Sequence, residues 1–180
     1  MTLREGWYAL HVKSHAERSV ARALAERGYE HFLPLSACRR RWSDRMKVVE
    51  LPLFPNYLFS RITASSAGRV IDTPGVIRIV GAANVPLPIE DEEIAALKQI
   101  VASNLSAEPW PFLHVGQPVT ITAGPLSGLS GVLVRVASRD RLVVSVSLLQ
   151  RSVAVAIDEA WVAPAPVSVP IARAVPAAAR

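Results

Sequence analysis

The feature that most constrains this fold is a change of hydrophobic period between residues 104 and 114. Apolar residues recur every three or four positions in segments 14–28 and 88–104, which is the period of an amphipathic helix. After residue 114 they fall into short β-prone runs separated by Gly-, Ser- and Asp-containing turns, the pattern of an all-β unit. The chain is therefore predicted to contain an α+β unit followed by a small β-barrel.

The first unit, residues 1–103, is predicted to be a sandwich of helices on an antiparallel sheet. Strands are expected at 7–12, 29–35, 56–62 and 76–80, a short helix within 65–76, and two extended arms around a Ser43-Asp44 tip at 37–51. Ser14 and Glu17 have the spacing of a capping box at the start of the first helix. Gly28 is expected to end that helix in the left-handed conformation.

The second unit is predicted from its turn spacing. Pro109 and Pro111 give segment 104–114 the character of an extended linker. Short strands are expected at 118–122, 131–136, 141–149 and 152–157, which predicts a small SH3-like β-barrel over residues 115–164. The Pro- and Ala-rich segment 165–180 is predicted to be disordered.

Composition indicates a globular protein of a reducing compartment. Hydrophobic residues make up 51% of the 180 residues, but no charge-free apolar run reaches the ~18 residues that a membrane span requires. Residues 1–10 lack the basic-then-apolar pattern of a secretory signal. The single cysteine, Cys38, has no intramolecular disulfide partner. A cytoplasmic location is therefore expected.

Positive charge is concentrated in the first third of the chain. Residues 1–62 contain 11 Lys or Arg against 6 Asp or Glu, whereas residues 63–110 contain 3 against 6. The whole chain has a net charge of +5 and a pI near 10.0. This asymmetry suggests a polyanionic partner, and a charge that serves only solubility is the alternative.

No segment has the pattern of an enzyme active site or a cofactor site. The acidic run Glu90–Glu93 opens a predicted helix, where negative charge suits the helix dipole. The Gly-rich segment 124–131 lacks the Lys-Ser/Thr pair and the helix of a phosphate loop. The histidines have no paired spacing, so no metal is expected.

Two segments are candidates for binding. Segment 51–60, LPLFPNYLFS, concentrates apolar and aromatic side chains around Pro52 and Pro55, so it is either core or a docking surface. Segment 39–47, RRRWSDRMK, interleaves basic residues with Trp42; its cations can neutralise phosphates and its indole can stack on an exposed base. The alternative is a solvated hairpin whose Trp42 folds back onto the sheet.

The ordered set of motifs resembles the NusG-like transcription elongation and antitermination factors. Similar to their N-terminal domain are GWYALHVKSHAERSVARALAERGYEHFLPL, the basic hairpin, ELPLFPNYLF and DTPGVIRIVG; similar to their KOW domain are VGQPVTITAGPLSGLSGVLVRV and RLVVSVSLLQRSVAVAIDEAWV. The resemblance covers residues 6–164. RRRWSD, PLFPNYLF and LLQRSVAV look most like the specialised RfaH-like members of surface-polysaccharide operons, whereas general NusG proteins usually have glycine where Asn56 stands.

The resemblance implies a factor that binds RNA polymerase, bridges its cleft and suppresses pausing and termination at particular operons. The residues implied in binding the β′ clamp helices are Trp7, Tyr8, Phe54, Pro55 and Tyr57, with Phe54 and Tyr57 as the floor, while Leu51, Leu53, Leu58 and Phe59 pack the sheet. The β-subunit gate loop is expected to contact Arg69, Asp72 and Thr73. Nucleic-acid contacts, including the non-template DNA strand, are assigned to Lys13, Arg18 and Arg22 and to the hairpin residues Arg40, Arg41 and Trp42.

The KOW domain of this family implies a second docking module. Its contact positions for a small-subunit ribosomal protein correspond to Leu148, Leu149 and Arg151, and NusG commonly has an aromatic residue where Leu149 stands, which counts against Rho as a partner. In RfaH this domain can refold into a helical hairpin, but the β-branched residues of LVVSVSLL favour the barrel. A monomer without a membrane partner is expected.

The alternative function is that of a KOW-containing RNA-binding protein of the ribosome, whose positive face follows the RNA backbone. The apolar segment 51–60 separates the two interpretations, because a ribosomal RNA binder has no need of a docking surface there.

Overall fold

The computed structural model describes residues 3–42, 45–83, 85–111, 117–136 and 139–164. The first part of the chain contains β1 (Gly6–Val12), α1 (Glu17–Glu26), β2 (His31–Phe32), β3 (Leu35–Trp42), β4 (Arg45–Pro52), β5 (Tyr57–Ile62), α2 (Ala67–Ile71), β6 (Val76–Ile79), β7 (Gly81–Ala82), β8 (Val85–Pro86) and α3 (Asp91–Ala102). The second part contains β9 (Ala107–Pro111), β10 (Gln117–Ile121), β11 (Ser130–Val136), β12 (Arg139–Val146), β13 (Arg151–Ala156) and β14 (Val162–Pro164), with 3-10 turns at Ser147–Leu149 and Glu159–Trp161. The predicted α+β class is confirmed.

A four-stranded antiparallel sheet in the order β2-β5-β1-β6 forms the centre of the first part. Alternate residues of a strand point to opposite faces, so β1 contributes to two separate cores. We call them the α3 face and the α1 face, after the helix that packs on each. The α3 face includes Trp7, Ala9 and Phe59, and the α1 face includes Tyr8, Leu10 and Leu58.

The start of helix α1 differs from its prediction. The predicted capping box of Ser14 and Glu17 is wrong, because α1 begins at Glu17 and no side chain caps its N-terminus. The Glu17 carboxylate instead accepts a hydrogen bond, at 2.9 Å, from the backbone N–H of Asn56. A contact with a residue 39 positions away therefore takes the acceptor that the local motif would use.

The end of helix α1 agrees with its prediction. Gly28 has φ +75°, and its N–H donates to the Ala25 carbonyl at 2.9 Å while that of Tyr29 donates to the Leu24 carbonyl at 2.9 Å. This is the Schellman arrangement, which satisfies carbonyls left free at a helix end.

Helix α3 covers the face of the sheet opposite α1. Its buried side chains include Ile94, Leu97 and Ile100, three members of the predicted apolar stripe, and they join Trp7 and Ala9 in one cluster. The acidic residues Asp91, Glu92 and Glu93 occupy the first turn, where negative charge interacts favourably with the helix dipole.

Strands β3 and β4 form a separate two-stranded ribbon, which confirms the two extended arms. Their pairing extends from Leu35 opposite Pro52 to Trp42 opposite Arg45, and the predicted tip, residues 43 and 44, lies outside the described residues. The strand predicted at 29–35 is shorter than expected. Only His31 and Phe32 pair with the sheet, because Pro34 has no N–H for a ladder and the chain leaves for the ribbon at β3.

The second part is a six-stranded antiparallel sheet in the order β14-β10-β11-β12-β13-β9. The four predicted β segments are confirmed, but the linker predicted at 104–114 is wrong for residues 107–111, which form β9 and pair with β13. Pro109 and Pro111 are accommodated because β9 is an edge strand, where a missing N–H can face away from the ladder. The segment predicted to be disordered, 165–180, lies outside the described residues.

The two parts of the chain pack against each other on the α3 face. Val119, Leu126 and Leu142 of the second sheet belong to the same core cluster as α3. The Gln99 side-chain amide donates to the carbonyls of Pro125 at 3.2 Å and of Ser127 at 3.1 Å. In the part of the chain that the structure describes, no helix has the length and apolar character needed to cross a membrane.

Candidate docking site

The turn FPNY between β4 and β5 is held from two sides. Asn56 has φ +69°, a left-handed conformation that Gly and Asn adopt more readily than other residues. Its carbonyl accepts a hydrogen bond from the Val12 N–H at 2.9 Å, and its N–H donates to Oε1 of Glu17 at 2.9 Å. The turn therefore presents Pro55, which is exposed, and Tyr57 in a fixed orientation.

Tyr57 is the centre of a small aromatic and basic patch. Its half-buried ring stacks on His11, with 5.2 Å between ring centroids and 27° between planes. The guanidinium of Arg151, from the second part of the chain, lies 5.1 Å from the Tyr57 centroid. These two neighbours of Tyr57 come from β1 and β13, so the patch depends on packing between the two parts.

His11 was not predicted as a site residue. It lies directly opposite Tyr57 in the β1–β5 register, and its Nδ1 is buried with no hydrogen-bond partner among the described residues. Strand alternation places His11 on the same face as Trp7. The sequence carried that signal, but not the register that brings His11 to Tyr57.

Phe54 does not belong to an exposed floor in this structure. Its side chain is 0% exposed, and its ring meets Phe59 edge-on at 5.6 Å and 82°. Leu53, Leu58 and Phe59 are also buried, as expected for sheet packing. Phe54 therefore supports the turn from inside the core, and Tyr57 is the ring of this segment that reaches the surface.

Trp7 and Tyr8 lie on opposite faces of the sheet. Trp7 is buried on the α3 face, with the Lys98 ammonium 4.4 Å above its ring. Tyr8 is buried on the α1 face, where its hydroxyl donates to the Arg4 carbonyl at 2.7 Å. Burial raises the pKa of Tyr8 above its usual value, and the Arg4 charge opposes that shift. The structure therefore does not bring these two side chains together for one partner.

The predicted gate-loop contact divides into exposed and buried members. Arg69 and Asp72 are exposed, whereas Thr73 is buried and its hydroxyl accepts a hydrogen bond from Arg27 at 3.0 Å. The Thr73 hydroxyl also donates to the Arg69 carbonyl at 3.3 Å. Thr73 thus holds the segment in place, and Ile71, 44% exposed, adds apolar surface beside the two charged residues.

The predicted nucleic-acid residues occupy different environments. Lys13 lies in the turn before α1 rather than on the helix, Arg22 is exposed on α1, and Arg18 pairs with Glu50 of the ribbon at 3.1 Å. Arg40, Arg41 and Trp42 lie on β3, and the placement of their side chains lies outside the described part.

The predicted contact residues of the second part are engaged within the chain. Leu148 and Leu149 are half-buried in the 3-10 turn after β12 and pack against the shared core. Arg151 is exposed at the start of β13 and lies over Tyr57. Among the residues that the structure describes, no group of three or more His, Cys, Asp or Glu side chains is placed to hold a metal ion.

Comparison with known proteins identifies relatives along most of the chain. Residues 5–98 match the family model described as transcription termination factor nusG. The transcription termination/antitermination protein NusG of Thermus thermophilus is 25% identical over 174 residues, covering 84% of this chain and 94% of its own length. The same protein of Xylella fastidiosa strain 9a5c is 29% identical over 168 residues, with coverages of 81% and 91%.

A solved structure supports the fold. The structure described as "Domain interaction in Thermotoga maritima NusG" matches with a TM-score of 0.53 at 22% identity and covers 88% of this chain and 96% of that one. Because the family model spans more than half of the 180 residues, the chain belongs to the NusG family.

Proposed function

We propose that this chain is a bacterial transcription elongation and antitermination factor that docks on RNA polymerase through the FPNY turn. The observation that carries the proposal is the Tyr57 ring, half-buried and fixed between the turn and His11. An aromatic side chain that is already ordered loses little conformational entropy on binding, which favours it as an interface anchor. The relatives named transcription termination/antitermination protein NusG support the assignment to transcription.

Docking of the β′ clamp helices at Tyr57 requires the second part of the chain to move. Arg151 lies over the ring, and the same packing holds Leu148 and Leu149 against the shared core. The structure is therefore a closed form, and the form that binds polymerase is proposed to be open. In the open form, Leu148, Leu149 and Arg151 become available to a small-subunit ribosomal protein; Rho is not proposed as a partner.

A second polymerase contact, with the β-subunit gate loop, is proposed for Arg69 and Asp72. Both are exposed, and the buried Thr73 holds them in place through its bonds to Arg27 and to the Arg69 carbonyl. Bridging the clamp and the gate loop would suppress pausing. Action at particular operons, through the non-template strand, belongs to the same proposal.

The proposal is tested by affinity capture from a bacterial lysate and then with purified core polymerase. Tagged full-length chain is expected to retain the β and β′ subunits, and Tyr57→Ala is expected to lose them. Retention of ribosomes without polymerase would instead support the ribosomal RNA-binding function and reject polymerase docking.

Arg151→Ala is expected to raise the affinity for polymerase by about 2- to 5-fold. It removes a contact that only the closed form makes, and an exposed cation–π contact contributes about 0.5–1 kcal/mol. Biolayer interferometry on core polymerase measures the change, with Arg61→Ala as the control, since Arg61 is an exposed arginine opposite Trp7 at the other end of β5. Lower affinity would show that Arg151 contacts the polymerase directly.

Arg22→Ala is expected to weaken binding to single-stranded DNA and to reduce the slope of log affinity against log salt by about 1, as for loss of one phosphate contact. Arg22 is exposed and has no ion-pair or hydrogen-bond partner among the described residues. Fluorescence anisotropy of a labelled oligonucleotide over a salt series measures the slope. Arg18→Ala is the matched control, because Arg18 already pairs with Glu50. An unchanged slope for Arg22→Ala would exclude that contact.

A further inference from the structure

A groove of about 490 Å³ lies beside the FPNY turn, between the start of α1, the end of β4 and β9. This volume is within the range of about 300–1,000 Å³ that is typical of ligand pockets. The apolar lining is rich in proline, with Pro52, Pro55 and Pro109 beside Leu51 and Leu53. At its polar end are Ser14, His15, Glu17 and Asn56. The groove is therefore a rigid apolar channel that ends at a carboxylate.

Glu17 is unusual because it is a buried charge without a counter-charge. It is 7% exposed, and it is the only Asp, Glu, Lys or Arg among the buried residues that the structure describes. Its single polar contact within the described part is the Asn56 N–H on Oε1. Burial of a carboxylate is costly unless a cation pairs with it.

We infer that the docking partner inserts a lysine or arginine side chain into this groove and places its cation on Glu17. The inference rests on the proposed function, because the groove shares Pro55 and Asn56 with the FPNY turn. The aliphatic stem of a Lys or Arg packs on apolar walls while its charged head reaches a polar partner. An uncharged or acidic occupant would bury Glu17 further without neutralising it, so the charge selects a basic residue.

Two variants separate a charge role of Glu17 from a structural one. E17Q keeps a side-chain oxygen that can accept the Asn56 N–H and removes the charge, whereas E17D keeps the charge and is one methylene too short for that bond. The affinity of the full chain for bacterial core RNA polymerase is measured by biolayer interferometry. Charge pairing predicts at least about 30-fold weaker binding for E17Q and a smaller loss for E17D. E92Q removes an exposed carboxylate of α3 and is expected to bind as the wild type does.

Three outcomes would overturn the inference. E17Q binding as tightly as wild type would remove the charge role, and E17D binding more weakly than E17Q would show that Glu17 only holds the turn. If the wild-type chain has no affinity for polymerase, the proposed function itself fails, and the inference with it. Should E17Q not fold by circular dichroism, Ser14→Asp adds a negative charge at the exposed polar end of the groove. It is expected to tighten binding several-fold, and unchanged affinity would again reject the pairing.

Discussion

Tyr57→Ala is expected to weaken binding to core RNA polymerase by at least about 30-fold, the effect of removing an interface hot spot. The ring is half-buried before binding and stacks on His11 at 5.2 Å, so the free protein has already ordered it. The substitution leaves the backbone of the turn in place, because Val12 and Glu17 hold Asn56 through main-chain groups. Interferometry on immobilised polymerase measures the affinity, and a urea titration checks that the variant remains folded.

The sign of this effect separates direct docking from an effect on closure. Tyr57→Ala also removes the contact with Arg151, which on its own would favour the open form and raise the affinity. A loss of affinity therefore reports a contact between Tyr57 and the polymerase. Tyr29→Ala is the matched control, because Tyr29 is another half-buried tyrosine but packs on the α1 face. Equal affinity of Tyr57→Ala and wild type would reject the FPNY turn as the docking site.

Local sequence signals predicted the features that depend on neighbouring residues. The stripe Ile94, Leu97 and Ile100 gave α3 its buried face, and Gly28 ended α1 in the left-handed conformation. The alternating residues of β1 likewise gave a strand with two buried faces. Each of these is set by the backbone within one or two turns, where a single residue type or a short period decides the outcome.

Features that depend on distant pairing were not predictable from one sequence. The Ser14 capping box failed because Glu17 bonds to Asn56, 39 positions away. His11 was missed because its stacking on Tyr57 requires the β1–β5 register. Segment 107–111 reads as a linker by its prolines, yet it pairs with β13 as an edge strand. Two of these long-range contacts, those of His11 and Glu17, shape the candidate site.

Phe54→Ala is expected to lower the free energy of unfolding by about 3–5 kcal/mol, the cost of deleting a buried aromatic ring. Phe54 is 0% exposed and packs edge-on against Phe59, so the substitution leaves a cavity under the turn rather than a gap in its surface. Urea unfolding monitored by circular dichroism measures the change. Phe54→Leu is expected to lose less, because leucine fills most of the cavity.

The two aromatic residues of the turn are thus expected to fail in different experiments. Below its urea transition, Phe54→Ala should bind polymerase with nearly wild-type affinity, because the ring has no surface to offer a partner in this structure. Tyr57→Ala should show the reverse, a near-normal unfolding midpoint with lost binding. If Phe54→Ala were as stable as wild type yet unable to bind, Phe54 would have to leave the core in the open form. The docking surface would then include the ring that the closed structure buries.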